Sequence, residues 1–388
     1  MLKIGTIGVG NAGCQVADLA KAMADIDGLA INSSDNDLAN VKNITKLKIG
    51  DTFGAGKDRD EAKKFVKKSI NEFLALEDVN DFLSDKQVVF IITSIDGGTG
   101  SGTTPVLTDI LNTYYNVKGS EHVLFVLVPI YPKQSESPAA MQNALDFLTE
   151  VDKYIPTIPR LSFDNNKLAH LSSNMMIETV NKDIVEKMKI IRGDYNYSTP
   201  YASIDEKDML RLINVPGEIN IFNYSEFSTV DLESKSIEEE LLRQVKGESL
   251  QVSIERDKIV KKMGVISNLD TDVNGKFDSS LKSIKEFTGN ALEGFEHTYI
   301  NPDDGTGVNR VCLIMSGLSI PDTRIKTIVD YIETAAKEMN KVKKSSVLAS
   351  VDTSGIAALR ASSTNSSNND EVEETGALKT EDILAKYL

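Results

Sequence analysis

The chain predicts an α/β fold: a parallel, doubly wound sheet, a central helix, a second and smaller mixed α/β domain, then a C-terminal helix and a flexible tail. Three observations carry this. Short apolar runs, Lys3–Val9, Val88–Ile92 and Val123–Val128, recur through the first half at strand length. The first two end in glycine-rich turns, and apolar residues at three- and four-residue spacing resume after each turn, as on one face of a helix. Repeated strand–loop–helix units of this kind bury their strands on both faces and place their loops at one edge of a parallel sheet.

The first unit runs from Lys3–Val9 through Gly8-Val9-Gly10-Asn11-Ala12-Gly13 into a helix expected over Cys14–Met23. Alone this is a G-x-G-x-x-G match, the Rossmann-type dinucleotide fingerprint. A short strand, Leu29–Ile31, leads to Asn32-Ser33-Ser34-Asp35, and Asp35 falls where a ribose-binding carboxylate would sit. One reading is therefore an NAD-dependent oxidoreductase. Next, Gly54-Ala55-Gly56 precedes a helix with Ala62, Phe65, Val66, Ile70, Phe73 and Leu74 on one face. Those glycines read either as turn chemistry or as a further backbone lobe facing phosphates.

The richest segment is Thr93–Thr104, with Gly97, Gly98, Gly100 and Gly102 interleaved with Thr99, Ser101 and Thr103. Glycines let backbone N–H groups approach an anion, the hydroxyls add donors, and a helix start adds a positive dipole end. This reads as a phosphate-binding loop. It is not the common P-loop, because no Gly-Lys-Ser/Thr closes it. A dehydrogenase has no need of a second, richer phosphate loop.

Composition narrows the classes. At 388 residues the chain is long enough for two domains with extensions. A net charge of −15 argues against a broad nucleic-acid surface and so against direct nucleic-acid binding. Cys14 and Cys312 stand alone, with no disulfide framework or zinc spacing, and His122, His170 and His297 are isolated, so no metal-ligand set is expected. No leader and no bilayer-length apolar stretch is read, so a cytoplasmic place without membrane contact is expected.

The order Gly97-Gly98-Thr99-Gly100-Ser101-Gly102-Thr103 resembles the signature of the tubulin/FtsZ superfamily of polymerising GTPases. The resemblance implies GTP/GDP with Mg²⁺ as the bound species. It implies that Gly10, Asn11, Ala12, Gly13, Cys14 and Asn32 join the signature loop around the nucleotide. Gly54, Ala55 and Gly56 are similar to the loop over the γ-phosphate, and Glu136, in Pro132-Lys133-Gln134-Ser135-Glu136, to the sugar loop. Asn165, opening Asn165-Asn166-Lys167-Leu168, and Asn181, on a long helix expected from about Asn174 to Ile191, resemble the guanine readers. Ile177 falls where division-type members often place an aromatic.

Beyond that helix, Asp205 and Asp208 would share one face of a helical turn, and Asp205 alone reads as a first-turn acid with Ser203 as a candidate cap. The resemblance implies more. Ser203-Ile204-Asp205-Glu206-Lys207-Asp208 keeps both acids of the family's catalytic loop and replaces its Asn by Ser. Asp208, and second Asp205, would then orient the attacking water in the pocket of a neighbouring subunit.

Strands are expected at Ile219–Phe222, Leu250–Ile254 and Val308–Met315, with helices at Ile237–Val245 and after Pro321. The tail is acidic, with an apolar tip of Ile383, Leu384, Tyr387 and Leu388. It reads either as a disordered segment or as a clip for a basic groove on the next subunit or an adaptor. The division expected is 1–173, GTP-binding domain; 174–200, central helix and linker; 201–320, second domain; 321–348, C-terminal helix; 349–388, flexible tail. The chain is most similar to the TubZ branch, implying head-to-tail filaments and a DNA-binding centromere adaptor for plasmid or phage DNA. Division FtsZ is the alternative.

Overall fold

The computed structural model describes residues 1–50, 54–117, 123–194, 204–227, 236–255, 260–270, 277, 281–287, 289, 291–301, 309–345 and 380–387. Its first half contains β1 (Ile4–Val9), α1 (Gly10–Ala24), β2 (Gly28–Asn32), α2 (Asp35–Ala39), β3 (Thr45–Lys48), α3 (Arg59–Ala75), α4 (Glu77–Ser84), β4 (Val88–Ser94), α5 (Thr99–Val117), β5 (Leu124–Tyr131) and α6 (Pro138–Tyr154). The short strands β6 (Pro159–Arg160) and β7 (Phe163–Asp164), then α7 (Ser173–Arg192), lead into α8 (Glu206–Ile213) and β8 (Gly217–Phe227). Then come a helix at Ile237–Arg243, β9 (Lys262–Asp270), β10 (Glu293–Asn301) and β11 (Asn309–Leu318), with helices at Asp322–Ser345 and Thr380–Tyr387.

All eleven described strands belong to one sheet, in the order β10-β9-β11-β8-β6-β5-β4-β1-β2-β3, with β7 paired to β5. The run from β3 to β6 is parallel and follows the doubly wound Rossmann order, so the chain's direction of winding reverses between β1 and β4. β6 pairs β8 in parallel at Pro159–Gly217 and Arg160–Glu218, carrying the sheet into the second half. There β11 is antiparallel to both β8 and β9, which makes that part mixed.

Two apolar layers sandwich the parallel strands. One joins α3, α5 and α6 through Phe65, Ile70, Leu111 and Phe147. The other joins α1 and α7 through Val16, Ala20, Val180, Ile184 and Met188. A third cluster, including Phe222, Leu241, Val265 and Leu313, forms the core of the second half. The helix α7 has Ser172 as its N-cap and Gly193, at φ 96°, as its C-cap. Its 20 residues span about 30 Å.

Several expectations shift. Helix α1 starts at Gly10 and α5 at Thr99, so the later part of each glycine motif is itself the first helical turn. Leu161-Ser162 separates the short strands β6 and β7. Leu250–Ile254 is not a strand: Gln251 makes a single bridge to Phe163. The cause lies in its side chain, which accepts from Ile221 N at 2.7 Å and donates to Ile219 O at 2.8 Å, taking the ladder positions that backbone would fill. Ser203 and the linker before the terminal helix lie outside the described residues. The tail tip is not free: Thr380–Tyr387 is helical, with Ile383 and Tyr387 buried in the cluster of α3, α5 and α6.

Ile184, fully buried at the middle of α7, tests the central packing. Ile184→Ala is expected to cost about 2–5 kcal/mol. Urea unfolding should show a lower midpoint at unchanged slope.

Candidate functional site

Parallel strands deliver their C-terminal ends to one edge, and the reversal between β1 and β4 opens a crevice there. The loops after both strands meet in it. Gly100 packs so closely that an added Cβ would lie 3.1 Å from the carbonyl oxygens of Val9 and Ser94. On the other side, a Cβ on Gly98 would lie 2.7 Å from Lys57 Cα in the loop before α3. Side chains would separate three backbones that the glycines let touch. Gly56 and Gly97, by contrast, face open space, with nothing within 4 Å of an added Cβ. The two loops thus border a free volume rimmed by backbone.

Asn11 is exposed and Ala12 half-buried on the first turn of α1, while Gly13 and Cys14 are buried behind them. Cys14 turns inward: its Sγ contacts the carbonyls of Gly8 (3.4 Å) and Ile31 (3.5 Å), and burial pushes its thiol up to about 12. Asn32, buried at the end of β2, donates to Asp37 and accepts from Ser34 N, shaping the loop whose Ser33 hydroxyl lies 2.8 Å from that of Thr99. Gly54 and the buried Ala55 complete the loop before α3. Ser101 donates back to Gly97 O within the turn, whereas Thr103 is buried beside Ile31, Val66 and Leu107, its hydroxyl unpartnered.

Pro105 sits inside α5 and has no N–H, so the carbonyl of Ser101 loses its helical donor. The Arg59 guanidinium replaces it, bonding Ser101 O at 3.1 Å and Ser101 Oγ at 3.2 Å. Arg59 is itself buried and paired with Glu150 at 2.7 Å. A further clamp comes from α6. The Asn143 side-chain amide donates to Lys57 O (3.0 Å), Asp96 O (3.2 Å) and Gly97 O (3.3 Å). Neither Arg59 nor Asn143 was expected from the sequence. Pro105 was the one local signal for the first; the second had none.

A second cluster lies along the same edge. Asn165 opens a 3-10 turn capped by Asp164, and Asn166 accepts from Gln134 N at 3.0 Å. Lys133 reaches Ser173 Oγ at 3.3 Å, and Tyr331 donates to the carbonyl of Glu136 at 3.0 Å. The loop holding Glu136, the Asn165 turn and the start of α7 are therefore fastened together. Asn181 is buried on α7, and Ile177, one turn earlier, is 41% exposed.

Asp205 and Asp208 are elsewhere. Leu2 N donates to Arg192 O at 2.9 Å, and the Met1 amino group meets Glu206 at 2.8 Å. The start of α8 thus sits at the opposite edge of the sheet, separated from the glycine loops by the length of β1, about 20 Å. Asp205, rather than Ser203, caps α8, accepting from Asp208 N at 2.8 Å. The Asp208 carboxylate is one-third exposed, 3.9 Å from Arg211.

Residues 3–173 match the Tubulin/FtsZ family, GTPase domain. A tubulin-like protein CetZ of Pyrococcus horikoshii is 24% identical over 356 residues, covering 87% of this chain and 91% of that one. Among solved structures, the Clostridium botulinum phage c-st TubZ superposes with a TM-score of 0.68 at 20% identity, covering 87% of this chain and 99% of that one. The GTPγS-bound protofilament of Haloferax volcanii CetZ2 gives 0.67 at 17%, covering 88% and 100%. These structural likenesses are likenesses of fold, and they do not separate the TubZ and CetZ branches. The family match does replace the dehydrogenase reading of the first loop.

Two outcomes are expected. Asn143→Ala should weaken GDP binding about tenfold, the worth of roughly 1.4 kcal/mol in lost hydrogen bonds, while the thermal midpoint moves little; fluorescent-GDP titration with calorimetry checks this. Iodoacetamide at neutral pH should leave the buried Cys14 and Cys312 unmodified until the chain is unfolded, as read by mass spectrometry.

Proposed function

We propose that this chain, whose residues 3–173 match the GTPase domain of the tubulin/FtsZ family, is a filament-forming GTPase whose hydrolytic site is completed by the next subunit. The observation that carries the reading is the separation of parts. The glycine loops face one edge of the sheet, and Asp205 and Asp208 stand at the other. A head-to-tail stack brings the acids of one copy to the loops of the next.

In this reading the backbone amides of Gly10–Cys14 and Gly97–Thr103 hold the phosphates at two helix N-termini, and Gly54-Ala55-Gly56 closes over the γ-phosphate. Asn32 supports the loop that carries Ser33. Cys14 and Thr103 contribute through their backbone, since both side chains point inward. Glu136 serves the ribose, and Asn165 and Asn181 read guanine, whose mixed donor and acceptor edge suits an amide. The exposed Ile177 offers an aliphatic face to the base. Mg²⁺ fits a site with open space between glycine loops: it takes phosphate oxygens and water as ligands and offsets phosphate charge. Asp208 orients the attacking water, while Asp205 stays engaged with its own helix start.

The division of the chain up to residue 348 belongs to this reading and is supported by the separate core of the second half, whereas the last part is not a flexible tail throughout, since Thr380–Tyr387 is helical with Ile383 and Tyr387 buried. The cargo, plasmid or phage DNA moved through a DNA-binding adaptor at the C-terminal region, belongs to this reading too. A net charge of −15 supports assigning DNA contact to a separate protein.

Mixing two defective variants tests the shared site. Asp208→Ala should slow phosphate release by about 10²–10⁴ while retaining nucleotide. Gly98→Val should lose nucleotide and keep its own Asp208. An equal mixture should recover activity well above either alone. A mixture as inactive as Asp208→Ala would contradict the proposal.

A further inference from the structure

The helix Thr380–Tyr387 rests in a groove of the GTPase domain between α3, α5 and α6. Ile383 and Tyr387, one turn apart, are 3% and 7% exposed. The Tyr387 ring lies 4.5 Å from that of Tyr154, and its hydroxyl donates to Pro105 O at 3.3 Å. Lys386 reaches Asp109 at 3.4 Å. Lys63 donates to the carbonyl of Tyr387 at 3.4 Å, placing a cation at the negative end of the helix.

Nothing in chain length forces this contact. The 34 residues of 346–379 could extend over roughly 110 Å. An eight-residue helix is also too short to persist alone in water, so the segment owes its helix to the groove. The groove in turn touches the signature loop. The same Lys63 bonds Glu150 at 2.6 Å, Glu150 pairs with Arg59 at 2.7 Å, and Arg59 bonds the carbonyl of Ser101 that Pro105 leaves unpaired. Helix α5 carries the glycine loop at its first turn and, one to three turns on, the Pro105 and Asp109 contacts of the terminal helix.

We propose that this groove is a peptide-binding site whose ligand is the chain's own C-terminal segment, and that its occupation favours nucleotide binding through Lys63, Glu150 and Arg59. The recognition rule is an apolar pair at i and i+4, a cation beside the second, and a helix C-terminus facing Lys63. The coupling rests on the GTPase reading; the docking does not. Linkage makes the coupling reciprocal, so nucleotide should in turn tighten the docked tail.

Hydrogen–deuterium exchange on the full chain tests the docking. Amides of residues 380–387 should exchange at least tenfold more slowly than in a free peptide Leu378–Leu388, and the Ile383→Ala/Tyr387→Ala variant should lose that protection while its thermal unfolding stays that of a folded domain. The fluorescein-labelled peptide should bind this double variant saturably, and the wild type at least tenfold more weakly because its own tail competes. Free-peptide exchange rates in the wild type, or no peptide binding to the variant, would overturn the site. For the link, the double variant should bind GDP about three- to tenfold more weakly, with the added peptide restoring affinity. Unchanged GDP affinity would overturn the coupling. A protected tail in a chain that binds no GDP at all would overturn the nucleotide reading and leave the docking standing.

Discussion

Strand direction governs this molecule. Because β1, β2, β4 and β5 run parallel, every loop that follows them emerges at one edge. Helix α7 then carries the chain back across the layer to the other edge, where α8 begins next to Leu2 and Met1. The glycine loops and the carboxylates of Asp205 and Asp208 are thereby held a sheet's depth apart. Neither can reach the other by side-chain motion, and the proposed function joins them through a second copy.

Within the glycine edge, close backbone approach is the second constraint. The signature loop lies between Val9 on one side and Lys57 on the other, at distances that exclude a Cβ at Gly98 and crowd one at Gly100. Such contact leaves backbone carbonyls in need of donors, and the fold supplies them from long side chains. Asn143 takes three carbonyls from two loops, and Arg59 takes the one orphaned by Pro105. Buried polar groups without partners are costly, so these residues fix the loops as firmly as the glycines shape them.

What the sequence made legible was local. A glycine needed for close approach, or an apolar run ending in a turn, is visible without knowing what lies opposite, and so the order of strands, loops and helices could be read. Arg59 and Lys63 fall in line with Val66, Ile70 and Leu74 on the buried stripe of α3, but cations are ordinarily left in solvent, and only the packing of α6 brings them the Glu150 that makes their burial tolerable. Gln251 sits in a strand-like run, yet its side chain displaces the ladder its backbone would have formed. The terminal helix was hidden because composition reports on the segment, while its order comes from α3, α5 and α6. The choice of branch was hidden too: the TubZ-like features are matched by likeness of fold, and the CetZ of Pyrococcus horikoshii aligns along most of the chain.

The most direct measurement is phosphate release from Mg-GTP per subunit across serial dilution of the intact chain. The proposed shared site requires a rate per subunit that vanishes on dilution and rises steeply with concentration. A rate per subunit constant at every dilution would mean that one copy hydrolyses GTP alone, and it would contradict the shared site.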